Sequence, residues 1–227
     1  MELNSKKITQ YVFVGVVVVE LLALMMGWEH VRHFSKPMLM PVLLFYLRQG
    51  TTGRLSPSFL FAAVALIFSF VGDSFLMYEG EMYFMIGLAA FAVAHIAYIV
   101  AFSNAVNENT QGPNPLAKVL YAIPFVFLFV FLLMAIWSNL GGLKIPVAVY
   151  AAILISMVLA AIYRHNRSNI DSVRGVIFGA ILFLLSDSLL ALNMFFEPMQ
   201  NAGIWIMSTY ILAQWNIING LQKHYNY

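Results

Sequence analysis

The chain has 227 residues, of which 62% are hydrophobic and only 10% charged, with a mean hydropathy of +0.83. Soluble domains carry about 25% charged residues, so this composition excludes a soluble enzyme or a nucleic-acid-binding protein and indicates an integral membrane protein. The formal charge is only +2, and the absence of cysteine excludes disulfides, thiolate metal sites and thiol nucleophiles.

A helix crossing a hydrocarbon core of about 30 Å needs roughly 20 apolar residues, and eight segments are candidates. The first, 8–27, follows a positively charged start and has no A-x-A-like cleavage site after it, so it is expected as a retained first helix. The second, 37–47, is about half the usual length and is interrupted by Pro41, which predicts a short, tilted or re-entrant segment. The others cover 57–77, 82–102, 117–138, 145–163, 173–195 and 203–221. No linker, low-complexity tract or convincing repeat divides them, so residues 1–227 are expected to form one all-α transmembrane bundle.

With eight spans, one face collects Lys6, Lys7, Arg48, Arg54, Lys118, Arg164, Arg167, Arg174 and Lys223, while the other holds only Arg32, Lys36 and Lys144. Nine cations against three is a strong positive-inside bias, which places both termini in the cytoplasm. A seven-span chain lacking the second helix would scatter these cations over both faces. Trp28, Tyr83, Trp137, Tyr163 and Trp205 fall near span ends, as interfacial anchors do. The expected location is a bacterial cytoplasmic membrane.

Charged groups at membrane depth cost about 2.5–3.5 kcal/mol on insertion scales, so those present usually turn inward and serve function. Three acids qualify: Glu20, Asp73 in "FSFVGDSFLM" and Asp187 in "LLSDSLLALNMFF". Asp73 and Asp187 lie about 24 and 21 Å from the cytoplasmic starts of their helices, at similar depth in the outer half of the bilayer. Two carboxylates sharing a low-dielectric pocket resist joint ionisation and titrate as a unit, which supplies a proton donor beside a base. The bland reading is that each accepts helix-packing hydrogen bonds, a task that Asn or Ser performs at lower cost. Glu20, with no other polar residue at depth on its helix, is expected to pair with a histidine or an amide.

On the fourth segment, Gly87, Phe91, His95, Tyr98 and Phe102 recur at spacings of four, four, three and four and share one helical face. His95 is either an interhelical hydrogen-bonding imidazole or a catalytic or substrate-positioning group. Tyr210 and Gln214 share a face of the last helix at i, i+4, and a buried glutamine is either glue or a ligand for a polar substrate. Tyr150, Ser186, Asn193 and Asn219 extend the polar inventory. Lys36 beside Pro37 reads as an interfacial anchor or a partner for a lipid phosphate. Gly175 and Gly179 form a G-x-x-x-G pair that predicts close packing within the bundle.

Several chemistries fit poorly. An intramembrane aspartyl protease would place Gly-x-Gly-Asp on one helix, but position 70 is Phe and the second acid follows Ser186. A zinc hydrolase needs about three protein ligands, whereas His95 is the one histidine clearly inside a span, so no metal is expected. A transporter would show inverted repeats and paired broken helices, which are not evident. A non-catalytic lipid or proton carrier using the same acids is the alternative to an enzyme.

As a set, "KPMLMP" (36–41), "FSFVGDSFLM" (68–77), "GLAAFAVAHIAYI" (87–99), "PVAVY" (146–150), "GAILFLLSDSLLA" (179–191) and "TYILAQ" (209–214) resemble the YhhN family of membrane proteins, which includes the lysoplasmalogenases. The resemblance spans nearly the whole chain in the family's order. It implies an eight-helix enzyme that hydrolyses the vinyl ether bond of a lysoplasmalogen, a lysophospholipid embedded among membrane lipids. The products are a fatty aldehyde and a glycerophospho-ethanolamine or -choline. It favours Asp73 and Asp187 as the catalytic acids, with Lys36, His95, Tyr98, Tyr150 and Gln214 as matching motif positions. Ser186 and Tyr210 join them as supporting residues. Vinyl ethers are cleaved by protonation at carbon and capture of the cation by water, so one aspartate donates while the other stabilises charge and activates water, and no cofactor is needed.

Overall fold

A computed structural model describes residues 2–51 and 55–226, and it is 84% helical with no strand among the described residues. Eight helices follow in order: α1 (Glu2–Met26), α2 (Glu29–Gln49), α3 (Pro57–Phe75), α4 (Glu81–Asn104), α5 (Pro115–Ile136), α6 (Lys144–Ile162), α7 (Ile170–Phe195) and α8 (Ala202–Tyr225). Two short 3₁₀ turns, Trp137–Asn139 and Gly141–Leu143, separate α5 from α6. Among the described residues, six of the eight are long and apolar enough to cross a membrane. The other two, α2 and α8, have 21 and 24 residues, enough for about 31 and 36 Å of helix, and bury Ser35, Gln214 and Gln222 inside the bundle.

The helix ends follow from local chemistry. Gly27, at φ +68°, stops α1 in the left-handed region, and the Trp28 amide reaches back to the Ala23 carbonyl at 2.8 Å, a Schellman closure. Ser56 and Asn114 each cap a helix that has proline in its first turn, accepting from the amides of Phe59 and Ala117. Asn169 accepts from the Asp171 amide at the start of α7.

Side-chain bonds show that the helices alternate in direction. Gln49 donates to Ser5, joining the end of α2 to the start of α1, and Ser58 donates to the Ala101 carbonyl, joining the start of α3 to the end of α4. Tyr163 donates to the Lys118 carbonyl, and Ser168 meets His224. All eight helices thus have one end on the face that carries Lys6, Lys7, Arg48, Lys118, Arg164, Arg167, Arg174 and Lys223, so the described residues form an eight-helix bundle of alternating direction. Arg54, counted on that face from the sequence, lies outside the described residues.

The second segment departs from expectation. It is a full helix, Glu29–Gln49, with Pro37 and Pro41 in its interior, rather than a short span over 37–47. Its polar first half resembles a loop only while its partners are unseen: Arg32 meets Glu20 at 3.4 Å and Glu29 at 3.3 Å, Ser35 donates to Glu20 at 2.6 Å, and Lys36 lies 3.9 Å from Asp73. The prolines cost two backbone bonds, a loss that packed neighbours make tolerable. Arg32 and Lys36, assigned from sequence to an outer loop, are therefore inside α2.

The closest helix contact is α7 against α8. A Cβ at Gly179 would sit 2.7 Å from the Ala213 carbonyl oxygen, and one at Gly220 would sit 2.8 Å from the Val176 amide. A Cβ at Gly175 would sit 3.2 Å from the Gly220 Cα, so the G-x-x-x-G pair does pack within the bundle. By contrast α5 buries only Ile136 and stands at the periphery, where it walls one side of a cavity.

Candidate active site

Asp73 lies in the last turn of α3, and Asp187 lies two turns before the end of α7. Both line one cavity of about 610 Å³, within the range of ligand-binding pockets. Lys36, Tyr150, Ser186 and Tyr210 also line it. Most of the remaining wall is apolar, built from Leu, Ile and Phe side chains of α4, α5, α6 and α7, and Glu79 of the α3–α4 turn and Glu81 at the start of α4 stand at its exposed rim. His95, Tyr98 and Gln214 do not line the cavity; they form a layer behind it.

Each carboxylate is served by its own tyrosine. Tyr210 donates to Asp73 Oδ2 at 2.6 Å, and Tyr150 donates to Asp187 Oδ2. Since a phenol has one proton, Tyr150 must accept from His95, whose Nε2 is 2.9 Å away, which sets the Nε2–H form of the imidazole. His95 Nε2 is also 3.7 Å from the Asp187 oxygen, while Nδ1 is buried without a partner. Behind Tyr210, Gln214 donates to its hydroxyl at 3.4 Å and to Ser69 at 3.0 Å, and accepts from Tyr98 at 2.5 Å. The glutamine is thus fully bonded inside the protein. Two chains of donors, Tyr98–Gln214–Tyr210 and His95–Tyr150, both point at a carboxylate. No hydrogen bond joins Asp73 to Asp187 directly.

The local sequence explains this placement. Gly72 precedes Asp73 because a Cβ there would lie 2.5 Å from the Phe91 ring; glycine lets α4 approach the acid. Phe183, one turn before Asp187 on α7, packs edge-on against His95 at 4.6 Å and Tyr210 at 5.4 Å. It is fully buried and stands between the two donor chains. Ser186 donates to the Ile206 carbonyl at 3.0 Å, fixing the acid-bearing turn of α7 against α8.

Sequence reasoning missed Phe183, Ser69 and the cluster around Glu20. The signal for the first two was helical spacing, since each lies four residues before an acid. Glu20 is fully buried and pairs with Arg32 and Ser35 rather than with a histidine or amide. Asn193 and Asn219 serve structure instead, accepting from the Met199 amide and from Tyr46.

The YhhN family model matches residues 31–221. The chain is similar to human lysoplasmalogenase TMEM86A, 34% identical over 185 residues that cover 75% of this chain and 69% of that protein. It is similar to human lysoplasmalogenase TMEM86B, 32% identical over 150 residues, covering 66% of this chain and 58% of that protein. A lysoplasmalogenase homolog from Dictyostelium discoideum is 28% identical over 149 residues, 56% of this chain and 48% of that one. The chain thus spans less than two thirds of the TMEM86B length it matches, and no solved structure matches it. With a family match from α2 into α8 and every quoted motif inside it, the chain belongs to the YhhN family.

Proposed function

We propose that the protein is a lysoplasmalogenase, hydrolysing the vinyl ether of a single-chain plasmalogen by aspartate acid–base catalysis. The observation that carries this reading is the meeting of Asp73 and Asp187 on one largely apolar cavity, the environment a lipid chain with a reactive ether requires. The names of the relatives support the substrate class.

In the proposed reaction the carboxylic acid of one aspartate transfers its proton to the outer carbon of the double bond. The enol ether becomes an oxocarbenium ion, held by the other carboxylate. Water adds to the cationic carbon and passes a proton to a carboxylate, giving a hemiacetal. The hemiacetal hydroxyl gives its proton to a carboxylate as its carbon's bond to the glycerol oxygen breaks, that oxygen takes a proton from the carboxylic acid, and a fatty aldehyde and a glycerophospho-ethanolamine or -choline leave. Tyr150 and Tyr210 orient the two carboxylates, and His95 and Gln214 act as positioning residues through those tyrosines. The chain of the substrate runs along the α5–α7 wall. Its phosphate meets Lys36, and an ethanolamine or choline cation meets Glu79 and Glu81 at the rim. With the cation-rich face cytoplasmic, the site opens to the opposite face.

The test is turnover of purified protein in deuterated water with lysoplasmenylethanolamine and with its saturated alkyl ether analogue. The reading expects aldehyde from the vinyl ether alone, carrying one solvent deuterium on the carbon next to the carbonyl. Aldehyde without that deuterium, or no aldehyde at all, contradicts it.

A further inference from the structure

A second cavity, of about 410 Å³, lies at the opposite, cation-rich end of the bundle and shares no lining residue with the first. It opens between the end of α4, the start of α5 and the end of α6. Lys118, Tyr163, Arg164 and Arg167 line it, and no acidic residue does. Its floor is apolar, with Phe102 and Leu159.

The arginines at this pocket have unused hydrogen-bonding capacity. Arg164 is only 1% exposed, yet it is anchored on one side only: Nε donates to the Ala105 carbonyl at 3.0 Å, and Nη2 donates to Ser172 at 2.8 Å and Ser168 at 3.3 Å. Its Nη1 is buried with no partner, and so is Nε of Arg167. Buried donors are nearly always satisfied, so two orphaned guanidinium nitrogens at one pocket mark a missing acceptor. Burial draws the Arg164 pKa down to about 10, which leaves it fully charged at neutral pH. Lys118 adds a third cation and is exposed, with its ammonium 5.5 Å from the centre of the Tyr163 ring.

We propose that this pocket is a phosphate-binding site, distinct from the aspartate cavity, in which Arg164, Arg167 and Lys118 hold the phosphate of an anionic lipid head group or a free phosphate ion. Guanidinium forks suit tetrahedral oxyanions, and basic pockets between transmembrane helices near a cation-rich face take anionic lipid head groups. The apolar floor suits the glycerol end of a lipid. Because the pocket joins the start of α5 to the α6–α7 turn, a bound phosphate also ties the peripheral helix to the bundle.

The experiment uses the full chain in phosphatidylcholine nanodiscs, with and without phosphatidylglycerol, and separately with inorganic phosphate. Bound lipid is counted by native mass spectrometry and thermal stability is followed in parallel. Wild type is expected to retain phosphatidylglycerol and gain stability from it. Retention should fall roughly fivefold for each pocket cation removed, in Arg167→Gln and in the solvent-exposed Lys118→Gln, which leaves the core intact. Arg174→Gln, an exposed cation of the same face outside the pocket, should retain lipid like wild type. Stabilisation by inorganic phosphate, absent in Lys118→Gln, would support the site with free phosphate as its ligand. Equal retention by all variants, an equal loss in Arg174→Gln, or no response to either probe would overturn the proposal.

Discussion

An alanine at Gly179 places its Cβ 2.7 Å from the Ala213 carbonyl oxygen and 2.8 Å from the Ile217 amide nitrogen. Both are backbone atoms of α8, so neither can rotate away as a side chain would. Restoring contacts near 3.5 Å requires the helices to separate by roughly 0.7 Å. Such overpacking costs about 1–3 kcal/mol, against a gain of up to about 1 kcal/mol from replacing helical glycine by alanine. With that gain taken in full, Gly179→Ala should still lose up to about 2 kcal/mol net. Gly15 on α1 is the control: a Cβ there meets nothing within 4 Å, so Gly15→Ala should be neutral or stabilising by up to about 1 kcal/mol. Equilibrium unfolding in mixed micelles by increasing denaturing detergent, followed by circular dichroism, reads both. Since α7 carries Asp187 and α8 carries Tyr210, Gly179→Ala should also lower turnover. Stability changes of the same sign and size in the two variants would refute the close α7–α8 seam.

Tyr150→Phe and Tyr210→Phe each remove a hydrogen bond to a carboxylate, worth about 1.5–3 kcal/mol, so kcat/KM should fall roughly 10- to 150-fold in each. Stability should suffer less in Tyr150→Phe, because His95 already lies 3.7 Å from Asp187 and can take over; the two thermal shifts, compared side by side, check this. Glu20→Ala strips a buried carboxylate from Ser35 and Arg32, and with Arg32 still near Glu29 we expect a loss of about 1–3 kcal/mol in the same unfolding assay. Leu132→Trp on the cavity wall should penalise long-chain substrates more than short ones, visible as a chain-length shift in relative kcat/KM.

The bundle was legible because lipid imposes a strict rule: each span must be long, apolar and internally bonded. The same rule made Asp73 and Asp187 stand out, since an acid costs too much at depth to be idle. A close helix contact made by α7 was legible from two glycines four residues apart, although its partner α8 was not. What escaped was whatever depended on partners distant in the chain. The first half of α2 looks like a loop until Glu20 of α1 and Asp73 of α3 arrive to pair Arg32, Ser35 and Lys36. Phe183 looks like ordinary core until His95 and Tyr210 are found on its two sides. Tyr150 looked unspecific because its importance lies in joining α4 to α7, a relation that no local pattern contains. The cations of the 164–167 turn read as topology markers, and only their unbonded nitrogens distinguish a pocket from a solvated face.

The central claim is that two aspartates on one cavity divide the work of acid and base. Its most direct measurement is the initial rate of aldehyde release from lysoplasmenylethanolamine by wild type, Asp73→Asn and Asp187→Asn, each verified as folded by thermal unfolding. General acid or base catalysis contributes about 10²- to 10⁴-fold, so each single variant should lose at least about 10²-fold while keeping its fold. A folded variant at either position that retains wild-type turnover would contradict the account.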